Sequence, residues 1–316
     1  MASLIWQPLH RALEARLKTG DRLNWIVAPF VKIDALKRLL ETKDPSPGFK
    51  LICRWRPEDL VGGVSDLEVF TYLHSRGYEL YVNSQLHMKL YAFESNVALC
   101  TSANLTLRGL GYVDLNVANI ETGSEVDLSA QDWVNLYSVA RESRLVTADI
   151  YDRFKQYVDG VPPPVSAPEA PDILGQKKRF TIASLPATDS PTLLADFYCS
   201  AGAPSQKYED TLRAYQDLAT FEIPFGLTRM EFLDALGKSF LRNEFVREFV
   251  DHLQIKKDLR FGAVNAWIHE RCEDVPLPYR WELKRNTHAF YNWLAHFIPQ
   301  ISWDRPNYSQ VIYWNG

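Results

Sequence analysis

The chain lacks any apolar run approaching the ~20 residues that cross a bilayer, so no membrane span is expected. Its amino terminus reaches Arg11 before a long apolar stretch develops, which argues against a secretory signal. Cysteine is scarce: four residues, at 53, 100, 199 and 272, form no CxxC pair and no close cluster. That excludes the usual structural zinc spacings and a disulfide framework, and it favours a reduced, cytoplasmic setting. A basic excess is also missing. The formal net charge of −4 argues against a nucleic-acid coat protein, although a nuclease can confine its basic groups to one cleft. Internal repeats are absent as well. What remains is ordinary for a globular protein: 316 residues, 46% hydrophobic and 23% charged, enough for two domains with separate cores.

The most informative stretch is 87–104, which reads His87-Met-Lys89-Leu-Tyr-Ala-Phe-Glu94-Ser-Asn-Val-Ala-Leu-Cys-Thr101-Ser102-Ala-Asn104. Apolar runs Leu86–Phe93 and Val97–Cys100 flank the turn-prone Glu94-Ser95-Asn96, a pattern that predicts a β-hairpin. Strand alternation then puts His87, Lys89 and Tyr91 on one face, and Ser102 and Asn104 together on the returning strand. An imidazole, an ammonium, a hydroxyl and an amide gathered in this way suit a phosphate.

These residues resemble the HKD motif of the phospholipase D superfamily, His-x-Lys-x4-Asp-x6-Gly-Ser-x-Asn. His87, Lys89, Ser102 and Asn104 match with both spacers intact, while Glu94 replaces Asp and Thr101 replaces Gly. The resemblance implies that His87 attacks phosphorus to give a covalent phosphohistidine, with no metal or other cofactor. It also implies that Lys89 and Asn104 hold the non-bridging oxygens and that Ser102 adds a hydrogen bond. Glu121, in Asn119-Ile120-Glu121, resembles the family's downstream acidic residue, whose carboxylate orients the imidazole; Asn119 shares its face. Glu94, in the turn, reads as structural. Each residue also has a plain alternative. A lone strand histidine is commonly structural, and Ser102 and Asn104 fit a helix cap near Leu105.

Members of the superfamily carry two HKD motifs or pair two chains with one each. No second HxK follows in this chain, so a homodimer sharing one site at its two-fold axis is expected.

Upstream, residues 2–20 read as an amphipathic helix, Leu23–Val31 as a buried strand, and Asp34 as the N-cap of a helix to about Glu41. Phe49–Trp55 reads as a strand closing on Arg54 and Arg56, Asp66–Ser75 as a helix and Glu79–Val82 as a strand. Leu115–Ile120 reads as one more strand, and 129–158 as helix broken near Thr147. The fold class is therefore α/β, a phospholipase D-like sheet flanked by helices over residues 1–160. The Pro-rich stretch 161–178 is read as a linker to a mainly helical domain, 179–316. Helices are expected at 206–220, 228–250, 258–272 and 281–297, with a final hairpin turning at Pro306-Asn307. That order suggests a winged helix with Lys284, Arg285, Asn286 and His288 facing a DNA groove. Alternatively, Phe290, Trp293 and Phe297 make a core helix that the hairpin covers.

The leading functional expectation is a metal-independent nuclease acting on DNA, with the second domain for recognition or assembly. An ATPase or translocase partner and a role in phage defence are suggested by analogy only. The alternatives are a lipid phosphodiesterase and a catalytically idle scaffold subunit of a DNA-processing assembly.

Overall fold

The computed structural model describes residues 3–162, 180–200, 208–272, 280–306 and 309–316. Two compact units divide it, Met1–Pro168 and Glu169–Gly316. Most of the stretch read as a linker, and Asn307 of the terminal turn, lie outside the described residues.

The N-terminal unit runs β1 (Ile5–Trp6), α1 (His10–Lys18), β2 (Leu23–Val27), α2 (Ile33–Thr42), β3 (Lys50–Cys53), α3 (Pro57–Val61), α4 (Glu68–His74) and β4 (Glu79–Val82). It continues with β5 (Leu90–Phe93), β6 (Val97–Thr101), α5 (Leu107–Leu110), β7 (Thr122–Asp127), α6 (Ala130–Arg141), β8 (Arg144–Leu145) and α7 (Ala148–Gly160). The strands form one eight-stranded sheet in the order β1-β7-β6-β5-β2-β3-β4-β8. β2, β3 and β4 run parallel, and every other neighbouring pair is antiparallel.

Side-chain alternation gives the sheet two apolar faces. Ile26, Leu51, Tyr91 and Leu99 point into the core shared with α1, α2 and α4. Trp25, Val27, Ile52 and Ala92 point the other way, onto Leu136 and Ala140 of α6. Burying each large apolar side chain contributes about 1.5–3 kcal/mol, so helices on both faces stabilise the layered form.

The hairpin at 90–101 follows the sequence reading, with Asn96 taking the left-handed turn conformation (φ 60°) that Asn tolerates. Several expectations are corrected. The first helix starts at His10, because Pro8 cannot extend a helix toward its N-terminus; Ile5 and Trp6 instead pair with Gly123 and Thr122. Asp34 lies inside the first turn of α2, whose Ile33 amide donates to Asp66 Oδ2 at 2.8 Å. Leu115–Ile120 forms turns and loop, and the edge of β6 pairs with Thr122–Asp127 instead. Tyr91 is fully buried in the core, so it does not share an accessible face with His87 and Lys89, which precede β5. The break near Thr147 is present, with Thr147 capping α7 and the short β8 just before it.

The C-terminal unit contains α8 (Pro191–Cys199), α9 (Tyr208–Thr220), α10 (Arg229–Arg242), α11 (Glu244–Lys256), β9 (Asp258–Arg260), α12 (Phe261–Arg271) and α13 (Arg280–Phe297). β10 (Ile301–Asp304) and β11 (Val311–Trp314) follow, and the small sheet has the order β10-β11-β9. The helix expected over 228–250 divides at Asn243, whose side chain accepts from the Phe245 amide and starts α11. α8 is an addition to the sequence reading. An aromatic core of Phe221, Phe240, Phe245, Phe249, Phe290 and Trp293 holds the unit together.

Candidate functional site

The candidate residues meet at one rim of the large sheet. Val27, the last residue of β2, is opposite Leu90, the first of β5, so Lys89 and His87 leave the sheet beside Ala28-Pro29-Phe30. The Thr101 amide donates to the Lys89 carbonyl at 3.2 Å, which brings Ser102 and Asn104 to the same rim. The first residue of β7 anchors Ser102 from the far side: the Ser102 amide donates to the Thr122 carbonyl at 3.0 Å.

His87 is exposed and Lys89 half-buried, with Lys89 Nζ 3.3 Å from His87 Nε2. An ammonium has no lone pair, so Nε2 accepts and a neutral ring carries its proton on Nδ1. Nε2 is thereby the nitrogen whose electron pair faces Lys89 at the rim. The contact is between an imidazole and a cation able to hold an anion beside it.

Asn104 is fixed by its backbone surroundings. Its Oδ1 accepts the Phe30 amide at 3.3 Å, which assigns the oxygen inward and leaves the NH2 group as the donor facing outward. Glu121 accepts from the Ser102 hydroxyl and from Asn119 Nδ2, the latter at 3.2 Å. Serine and carboxylate thus form one hydrogen-bonded unit within the chain, and the partner of His87 is Lys89. Beneath them the Tyr91 hydroxyl is buried with no hydrogen-bond partner among the described residues. Burial pushes its pKa up, and the neighbouring Tyr112 and Glu121 push the same way.

The two arginines after β3 differ. Arg54 is spent on Asp59, with bonds of 2.7 and 3.0 Å, and stacks 4.7 Å over the Phe30 ring. Arg56 donates through Nε to the Ser84 carbonyl at 2.8 Å. Two features escape the sequence reading. The apolar residues Leu115, Val117 and Ile120 are exposed next to Glu121, Ile120 at 94%. Trp6, on the edge strand opposite Thr122, is 62% exposed. Periodicity could have found neither, because an exposed apolar loop and a buried strand present the same alternation.

Among the described residues no group of three or more His, Cys, Asp or Glu side chains is placed to hold a metal ion, and no helix is long and apolar enough to cross a membrane. Cys53, Cys100 and Cys199 are free thiols. In the C-terminal unit, Arg285 bonds Asp189 and Asp210 at 3.3 and 3.2 Å, and His288 Nδ1 bonds the Gln310 amide at 2.9 Å. Both residues are committed inside the unit, and Phe290 and Trp293 are fully buried. Of the four groove candidates on α13, Lys284 is exposed and Asn286 half-buried.

The chain is similar to a phospholipase D family member. That structure, Nuc from Salmonella typhimurium, aligns at 14% identity and a TM-score of 0.36, covering 47% of this chain and 99% of the other. NucT from Helicobacter pylori aligns at 13% identity and a TM-score of 0.34, covering 46% and 99%. TrmBL2, an archaeal chromatin protein with a novel mode of DNA binding, aligns at 10% identity and 0.29, covering 46% and 54%. No family model matches the chain, and no curated protein does.

Proposed function

We propose that residues 1–160 form a phosphodiesterase that cuts DNA, acting as a homodimer through a phosphohistidine. The observation that carries this reading is the contact between Lys89 Nζ and His87 Nε2 at a rim that also holds Ser102, Asn104 and Glu121. In the first step the Nε2 lone pair of His87 attacks phosphorus and the bond to the leaving oxygen breaks. The second imidazole, from the partner chain, gives that oxygen a proton. In the second step the same imidazole takes a proton from water, the water oxygen attacks phosphorus, and the P–N bond breaks to restore His87. Lys89 and the Asn104 NH2 group stabilise the charge that gathers on the non-bridging oxygens. Ser102 and Asn119 hold Glu121 in place at the rim, where its carboxylate is available to orient an imidazole.

The dimer follows from arithmetic: one HKD motif supplies one imidazole, and the two half-reactions need two. Leu115, Val117 and Ile120 offer an apolar surface beside the site for a second copy to cover. The same surface favours a second reading, a lipid phosphodiesterase, since a bilayer also covers apolar side chains. The C-terminal unit serves recognition or assembly.

The test is a single-turnover reaction with an oligonucleotide labelled on the reacting phosphate, quenched in alkaline detergent. Label should appear on the wild-type chain and be absent from His87→Ala. An active wild-type chain that never becomes labelled contradicts the covalent route.

A further inference from the structure

The rim that holds the site is longer than the site. Five strand spacings separate β1 from β3 along it, roughly 24 Å at the usual spacing. Trp6 stands at one end, opposite Thr122, and Arg56 at the other, just past the end of β3. His87, Lys89 and Ser102 lie between them.

Arg56 has a feature its neighbour lacks. Arg54 is neutralised by Asp59, whereas the only partner of the Arg56 guanidinium among the described residues is the Ser84 carbonyl, which carries no net charge. An uncompensated cation is therefore held on the segment that leads into His87. His87 lies three positions after Ser84, which limits the gap between them to about 10 Å. A lone phosphodiester has no second charge to place there; a polynucleotide does. Trp6 meets the other requirement of a single strand. Ile5 turns into the core while the Trp6 indole stays exposed on the edge strand, in position to receive a base.

We infer that this rim is a track for a single polynucleotide strand, with the scissile phosphate at His87 and Lys89, a flanking phosphate at Arg56 and a base stacked on Trp6. The inference rests on the reading of the site given above and narrows its substrate to a polyanionic strand.

The experiment uses the full-length His87→Ala chain, so that the probe stays intact, and fluorescein-labelled dT12 followed by anisotropy across a salt series. Adding Arg56→Ala should weaken binding about tenfold and lower the slope of log affinity against log salt by about 0.7, the share of one phosphate contact on a single strand. Arg56→Lys should restore the slope. Trp6→Ala should weaken binding about tenfold with the slope unchanged, because stacking releases no counterions. Thermal midpoints matching the parent exclude misfolding as the cause.

Affinities within twofold of the parent for both folded variants overturn the track. So does a Trp6→Ala chain that keeps its affinity and loses self-association, or one that loses binding to phosphatidylcholine–phosphatidylglycerol vesicles instead. Hydrolysis of bis(p-nitrophenyl) phosphate by the wild type separates the two claims. If that ester is cut and dT12 does not bind, the track falls and the phosphodiesterase stands. If dT12 binds with both losses and no phosphodiester is cut, the track stands and the hydrolytic reading falls.

Discussion

Lys89 Nζ stands 3.3 Å from His87 Nε2, so the cation occupies the lone pair that would attack phosphorus. A bound phosphodiester offers the ammonium better acceptors and frees that pair. Lys89→Ala should therefore lower kcat by about 10²–10³-fold, the usual loss when one charge-stabilising donor is removed. Lys89→Arg should recover little, because a planar fork cannot take the place of a compact ammonium. Steady-state kinetics on an oligonucleotide give the answer, and a kcat within threefold of wild type for Lys89→Ala would remove the lysine from the mechanism.

In the proposed mechanism the Asn104 side chain has two separable jobs, and two variants divide them. Asn104→Asp keeps an acceptor for the Phe30 amide but loses the outward NH2 donor and adds a negative charge. It should melt close to wild type and lose at least 10²-fold in turnover. Asn104→Ala leaves that amide without its acceptor and should cost about 1–3 kcal/mol of stability as well. Calorimetry beside kinetics checks both. Equal destabilisation by the two variants would mean that the amide contact contributes nothing.

A shared site predicts a particular result on mixing. Wild-type and His87→Ala chains, unfolded and refolded together in equal amounts, should give mixed dimers with less than a tenth of the wild-type rate, since each composite site then lacks one imidazole. Mixed dimers that keep half the wild-type rate, or an active monomer in sedimentation, contradict the dimeric mechanism.

The two compact units should separate. A fragment of residues 1–162 should fold and unfold cooperatively, because its core is complete without the aromatic cluster of the other unit. In the full chain, Trp293→Ala should cost the C-terminal unit about 3–5 kcal/mol and leave the transition of the N-terminal unit unmoved. Differential scanning calorimetry resolves the two. A single transition that shifts as a whole would show the units to be coupled.

Much of this arrangement is legible in the sequence because local chemistry and tertiary structure agree there. The Glu94-Ser95-Asn96 turn between apolar runs makes a hairpin, and Thr147 starts a helix as its residue type suggests. Fixed spacings in the motif carry His87, Lys89, Ser102 and Asn104 to one rim, since strand pairing preserves the offsets. Elsewhere the local signal misleads. Leu115–Ile120 alternates like a buried strand, yet β6 takes its partner from Thr122–Asp127, a choice made by the whole sheet. Lys284, Arg285, Asn286 and His288 look like groove residues from their types alone. Only their neighbours reveal that Arg285 meets Asp189 and Asp210, more than 70 residues away along the chain. Two-residue β1 is too short to show any period, and with it the position of Trp6 stays hidden.

The central claim is that His87 and Lys89 cut a phosphodiester in DNA without help from a divalent cation. Full-length protein incubated with single-stranded DNA in 5 mM EDTA, beside His87→Ala, puts it to the test. Wild-type cleavage should persist undiminished and the His87→Ala chain should bind the DNA and leave it intact; cleavage that stops in EDTA and returns with magnesium, or that survives the substitution, would contradict the account.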